Sequence, residues 1–209
     1  MDVIGKAHPI YNLLPWEVKH ANRLGNEATE YVEKKYGYVW TEAQRQRKQQ
    51  NAITGAKGEI AFMQMLKDEH QEVIDWTADG KDYAEYYDFE LANSRLGKVD
   101  IKAAFKTPKT SQPTSINFIF GGAVIHMYAD GTKKVPDHFA LFWVDDDKVV
   151  FAGAITKFLF EQYINGDRPW DYQLSGGLSF INRKSFDAND IFLSYFKDSN
   201  KIDYTGPIF

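Results

Sequence analysis

Two aspartates and a lysine offer the first chemistry in this sequence. Asp88 lies in the run 86–91 (YYDFEL), and Asp100 and Lys102 lie in the run 98–104 (KVDIKAA). Both runs alternate with a period of two, so each predicts a strand with one apolar and one polar face. Val99, Ile101 and Ala103 fall on one side of the second strand, Asp100 and Lys102 on the other. Residues 93–97 (NSRLG) have the composition of a hairpin loop, and a fold about Ser94 sets Asp88 across from Asp100. Like charges directly opposite on neighbouring strands are destabilising and ask for something to neutralise them. A hard divalent cation such as Mg²⁺ takes oxygen ligands and keeps several waters, which suits two carboxylates and a substrate phosphate, with Lys102 alongside. The same residues also suit the solvated face of an antiparallel hairpin with no chemistry at all.

A third acidic residue stands upstream. Residues 55–66 (GAKGEIAFMQML) have a helical pattern, with Ala52, Ala56, Met63 and Leu66 marking an apolar stripe. Glu59 falls in the middle of that stripe. A carboxylate on a buried face costs on the order of several kcal/mol unless it is paired or metal-bound, so its placement asks for a partner. Gly55 and Ala56 are small enough to let this part of the helix press against a sheet. Asp75, Asp79 and Asp82 compete with Asp88 for the first carboxylate position. Asp79-Gly80 has the chemistry of a turn, and neither Asp79 nor Asp82 sits in an alternating apolar run, which favours Asp88.

Glu59 in a G-x-x-G-E helix, then Asp88, then Asp100-Ile101-Lys102, resembles the PD-(D/E)xK nuclease superfamily of restriction endonucleases, resolvases and phage nucleases. The matching motifs run from Gly55 to Lys102. Tyr87 departs from the pattern by standing where the name-giving proline precedes the first Asp. The resemblance implies an α/β fold with a restriction-endonuclease-like core, a central mixed β-sheet flanked by α-helices. It implies a Mg²⁺-dependent deoxyribonuclease, with Mn²⁺ able to substitute, hydrolysing DNA phosphodiester bonds to 5′-phosphate and 3′-hydroxyl ends. Asp88, Asp100 and Glu59 would then bind the metal, Glu59 directly or through water, and Lys102 would orient the nucleophile and offset charge on the phosphate. Double-stranded DNA is the expected partner, and a homodimer is left open. The alternatives are a branched-DNA resolvase and a non-catalytic nucleic-acid-binding protein of the same fold.

At 209 residues the chain is expected to form one domain, with an N-terminal helical extension over 1–50, a catalytic core over 51–164 and a C-terminal extension over 165–209. The aromatic content of 15% argues for a packed core rather than disorder. No apolar run is long enough to span a membrane and no signal-peptide pattern opens the chain, so a soluble, cytoplasmic protein is expected. Without cysteine there is neither a disulfide nor a thiolate zinc site. The net charge of −4 does not advertise nucleic-acid binding, but cations gather around the acidic residues. Arg45, Arg47, Lys48 and Lys57 lead into the Glu59 helix, and Arg95, Lys98, Lys102, Lys106 and Lys109 line the hairpin and the loop after it. Phosphate-binding G-x-x-x-x-G-K-[ST], hydrolase G-x-S-x-G and zinc-binding H-E-x-x-H motifs are all missing.

The positions of the elements that hold these residues come from pattern. Residues 1–11 show no periodicity and predict an irregular lead-in, and 15–36 predicts a helix closed by Gly37. Thr41 has the character of an N-cap opening a polar helical stretch into the Glu59 helix. Strands are expected over 72–76, 116–120, 138–144, 149–154 and 178–183, with Gly121-Gly122 as a break and Asp145-Asp146-Asp147-Lys148 as a hairpin tip. Residues 156–164 predict a short helix, and Ser185 or Asp187 a cap for another near Ile191.

Overall fold

Two helices account for most of residues 15–68. Helix α1 (Pro15–Tyr36) begins at a proline, whose missing N–H costs nothing in a first turn, and ends at Gly37 in the left-handed conformation (φ 63°). Helix α2 (Glu42–Asp68) is one continuous element that runs from the polar stretch through Glu59. Thr41 and Gln44 form a reciprocal cap at its start, with Gln44 N–H donating to Thr41 Oγ1 (3.3 Å) and Thr41 N–H to Gln44 Oε1 (3.0 Å). The two helices are tied by buried Glu17, whose carboxylate accepts from Leu14 N–H and from the Gln64 amide, each at 2.7 Å.

The computed structural model describes residues 10–68, 73–75, 88–91, 97–105, 117–174 and 178–182. In chain order the strands are β1 (Ile10–Asn12), β2 (Val73–Asp75), β3 (Phe89–Leu91), β4 (Lys98–Phe105), β5 (Asn117–Gly121), β6 (His138–Asp145), β7 (Lys148–Thr156), β8 (Tyr172–Leu174) and β9 (Leu178–Asn182). Helix α3 (Gly122–Ala129) comes after β5, and α4 (Lys157–Ile164) after β7. Six strands form a mixed sheet in the order β1-β7-β6-β4-β3-β2, and β5-β9-β8 form a small antiparallel one. Among the described strands of the large sheet only the β4–β6 pair is parallel, as it must be when β5 and α3 make the crossover between them. The architecture is mixed α/β.

The large sheet divides the core in two. Val99 and Ile101 of β4, Ala140 and Phe142 of β6 and Phe151 of β7 pack with Ile60, Phe62 and Met63 of α2. On the opposite face Phe139, Leu141 and Ile155 join Phe120, Tyr128 of α3, and Leu159, Phe160 and Tyr163 of α4. Alternation along β4 therefore serves two packed faces rather than one packed and one wet. Of the small residues expected to face the sheet, Ala56 is buried in the core, but the closest approach of α2 to β4 is at Gly58 and not at Gly55. A Cβ on Gly58 would stand 2.9 Å from Ala103 Cβ and 3.3 Å from Ile101 Cγ2, whereas one on Gly55 would meet nothing within 4 Å.

Two expectations are corrected here. Residues 10–12 are not an irregular lead-in but an edge strand on β7, with Ile10 opposite Val150 and Leu13 N–H donating to Asp147 O at 2.8 Å. Gly121-Gly122 does not simply interrupt a strand, because it passes the chain from β5 into α3. The expected cap at Ser185 or Asp187 lies outside the described residues, as do Asp79, Asp82, Arg95, Lys106 and Lys109.

Candidate functional site

The register of β3 and β4 creates the site. Phe89 pairs with Val99 and Glu90 with Lys98, the register expected from the sequence. Regular pairing stops at Asp88, whose N–H still donates to Val99 O (3.1 Å) while its carboxylate accepts the N–H of Ile101. A side chain thus takes over from the backbone ladder at the point where β3 begins, and this ties Asp88 to β4. The turn entering β4 is fixed by Asp137, whose Oδ2 accepts Lys98 N–H at 2.8 Å. Gly97 permits that approach with a left-handed backbone (φ 57°) that a side chain would strain.

Asp100 and Lys102 project from β4 toward the face that carries Tyr128 and Phe139, away from the Val99 and Ile101 face. Asp100 is 2% exposed, and its Oδ2 is in ion contact with the Lys102 ammonium. That ammonium also lies 5.7 Å from the centre of the Phe139 ring. A second cation reaches the same carboxylate, since Lys133 Nζ stands 3.7 Å from Asp100 Oδ1 and 5.4 Å from the Tyr128 ring centre. Beside them the Tyr128 hydroxyl is buried and has no hydrogen-bond partner among the described residues.

The electrostatics show how closely these groups are packed. Burial first, and then the Asp100 charge, push the Asp88 carboxyl up from 3.8 to about 7, against the opposing pull of Lys102, the Ile101 N–H and Lys133. Asp88 keeps some exposed surface, but dense protein around its carboxylate governs this shift. For Lys102, desolvation pulls the ammonium down, while Asp100, Asp88 and the hydrogen bond to Asp100 more than reverse it and leave it raised. Burial, then Asp100 and Asp88, push the Tyr128 phenol up, so it stays a neutral donor.

Of the four residues expected at the site, Asp88, Asp100 and Lys102 come together, while Glu59 belongs to α2, which packs on the Val99 and Ile101 face of β4. Glu59 is half-buried on α2, and its charge is felt at Lys102 only after those of Asp100 and Asp88. No group of three or more His, Asp or Glu side chains able to hold a metal ion occurs among the described residues. Two facing carboxylates nevertheless fit a hard cation that keeps most of its waters. The orphaned Tyr128 hydroxyl is a further polar atom within the same cluster.

Lys133 and Tyr128 were not singled out from the sequence. Each reads as ordinary there, Tyr128 as a core aromatic and Lys133 as a surface lysine after the Asp130-Gly131 turn. The one available signal is the Lys133-Lys134 doublet beside that turn. Two of the cations expected to contact phosphate are engaged elsewhere. Lys57 is buried, donating to Asp146 O at 2.7 Å with Asp147 Oδ1 3.6 Å away, and Arg45 pairs with Glu33 at 2.9 Å. The Asp145–Asp147 run is a hairpin tip, with Asp146 at φ 52°. No helix among the described residues is long and apolar enough to cross a membrane. Compared with protein-family models, with curated proteins and with solved structures, the chain finds no match in any of the three.

Proposed function

We propose that the chain is a metal-dependent nuclease that hydrolyses DNA phosphodiester bonds, with Asp88 and Asp100 holding Mg²⁺ and Lys102 acting at the phosphate. The observation that carries this reading is the cluster itself: two carboxylates, one just before β3 and one on β4, share one buried site with an ammonium in contact with Asp100. The mixed sheet covered by α2 on one face and by α3 and α4 on the other is compatible with the restriction-endonuclease-like core that the motifs imply.

When bound, the cation would supply Lewis acidity at the phosphate. Lys102 is held against Asp100 and so is positioned in advance to offset negative charge that develops on the phosphate oxygens. The Tyr128 hydroxyl, neutral and unpartnered among the described residues, can donate to an oxygen that enters the cluster. Glu59 acts from the edge, adding negative potential at Lys102. In the hydrolysis, water adds to phosphorus, the bond to the 3′ oxygen breaks, and that oxygen leaves with a proton as the 3′-hydroxyl.

The test is cleavage of supercoiled plasmid in Mg²⁺ or Mn²⁺ against EDTA, with Mn²⁺ binding measured separately on each variant. Lys102→Ala should hold the cation and DNA within a few-fold of wild type while the single-turnover rate falls by about 10² or more, the loss expected for one well-placed electrostatic contact. Asp100→Ala should lose cation binding and cleavage together. Cleavage in EDTA, or wild-type cutting by Lys102→Ala, would overturn the reading. Four-way junctions in the same assay separate a resolvase from a duplex nuclease.

A further inference from the structure

A cleft of about 350 Å³ opens beside the carboxylate cluster, between the start of β4, the loop after α3, and α4. Four of its lining residues are lysines, namely Lys98, Lys133, Lys134 and Lys157, against two acids, Asp137 and Glu161. Asp137 accepts the Lys98 N–H, and Glu161 stands 3.7 Å from Lys157 on the exposed side of α4. Lys134 is exposed and makes no ion pair among the described residues. Four lysines against two acids leave the described lining with an excess of positive charge in a chain whose net charge is −4.

Two residues belong to both the cleft and the cluster. Lys133 lines the cleft and reaches Asp100, and Tyr128 lines it with a buried hydroxyl that lacks a partner among the described residues. Tyr128 is the one aromatic among the described lining residues, and its ring is already taken by edge contacts with Phe139 and Phe160. The described lining offers no free aromatic face to a base, and its lysines suit an anion better than a nucleobase. Resting on the nuclease reading of the neighbouring cluster, we infer that this cleft is a phosphate subsite that seats a strand phosphate next to the one attacked, through Lys98, Lys134 and Lys157, with Lys133 bridging the two. Contacts of this kind fix the position of a strand without reading its sequence.

The salt dependence of binding to a short DNA duplex, measured by fluorescence anisotropy, tests this on the full chain. Lys134→Ala and Lys157→Ala should each lower the slope of log affinity against log salt by about 1, and the double variant by about 2, with affinity several-fold weaker at fixed salt. Lys19→Ala, on the exposed face of α1, should leave the slope unchanged. A double variant that keeps the wild-type slope while still binding DNA would overturn the subsite. Tighter binding of a 5′-phosphorylated duplex than of a 5′-hydroxyl duplex, lost in the double variant, would assign the cleft to a strand end, and equal binding to an internal phosphodiester. Titration with inorganic phosphate, monitored through the amide resonances of Gly131 and Lys134, separates this inference from the nuclease reading. Shifts that vanish in the double variant would support the subsite even if no DNA were cut, and their absence in the wild type would overturn it.

Discussion

At the scale of single residues the site is governed by the desolvation of one carboxylate beside a second. Asp88 shows it, with a carboxyl raised from 3.8 to about 7 by burial and by Asp100. Between those two values the folded chain binds a proton that the unfolded chain has released. The stabilising contribution of protonated Asp88 is therefore complete below about pH 4 and is lost as pH rises through about 7. Asp88→Asn mimics the protonated form at every pH and keeps an oxygen for the Ile101 N–H. In EDTA it should match wild type in urea unfolding near pH 4 and exceed it by a few kcal/mol, in order of magnitude, at about pH 8. A gain that is the same at both pH values would show that Asp88 is not strained by its charge. The Asp88, Asp100 and Lys102 triplet was legible because period-two alternation assigns faces directly. Tyr128 and Lys133 were not, since their roles come from the crossover that brings α3 and the loop after it over β4, and no local pattern encodes that.

At the scale of elements, α2 fixes where β4 can lie. The sequence showed that a small residue must face the sheet but not which one. Gly55 and Gly58 are about one helical turn apart, and only packing distinguishes them. Their substitution should have opposite signs. Gly55→Ala meets nothing within 4 Å and should stabilise by up to about 1 kcal/mol through helix propensity. Gly58→Ala gains the same propensity but drives a methyl to 2.9 Å from Ala103 Cβ, an atom fixed to the β4 backbone. Overpacking of this kind costs about 1–3 kcal/mol, so the net effect should be destabilising, and cleavage should also fall as β4 shifts under Asp100 and Lys102. Thermal melts and plasmid cleavage on the two variants check this, and equal effects on both would remove α2 as the positioning element. The same limit explains β1. A three-residue edge strand has no pattern of its own and exists only because β7 offers it a partner.

At the scale of the whole molecule, the large sheet separates a face packed by α1 and α2 from one that carries the Asp88, Asp100 and Lys102 cluster. The α1 and α2 face buries the larger apolar cluster, while the α3 and α4 face holds aromatic packing around the carboxylates. Folding alone brings Asp88 and Asp100 together, because in the unfolded chain they are separate carboxylates with ordinary affinity for cations. A divalent ion that binds the pair thus binds the native state and not the unfolded one, and mass action converts that difference into stability. At about 100 times the dissociation constant the gain is about 2.7 kcal/mol. For a chain of 209 residues that should raise the melting temperature by about 5–10 °C. Mg²⁺ and Mn²⁺ should both produce the rise and EDTA should reverse it. Asp100→Ala should melt at one temperature with or without the ion, whereas Lys134→Ala should keep the full shift, since the lysine cleft takes no part in holding the cation. An unchanged wild-type melting temperature at millimolar Mg²⁺ and Mn²⁺ would mean that the folded chain gains no cation site, leaving Asp88, Asp100 and Lys102 as a buried ion cluster that serves only the fold.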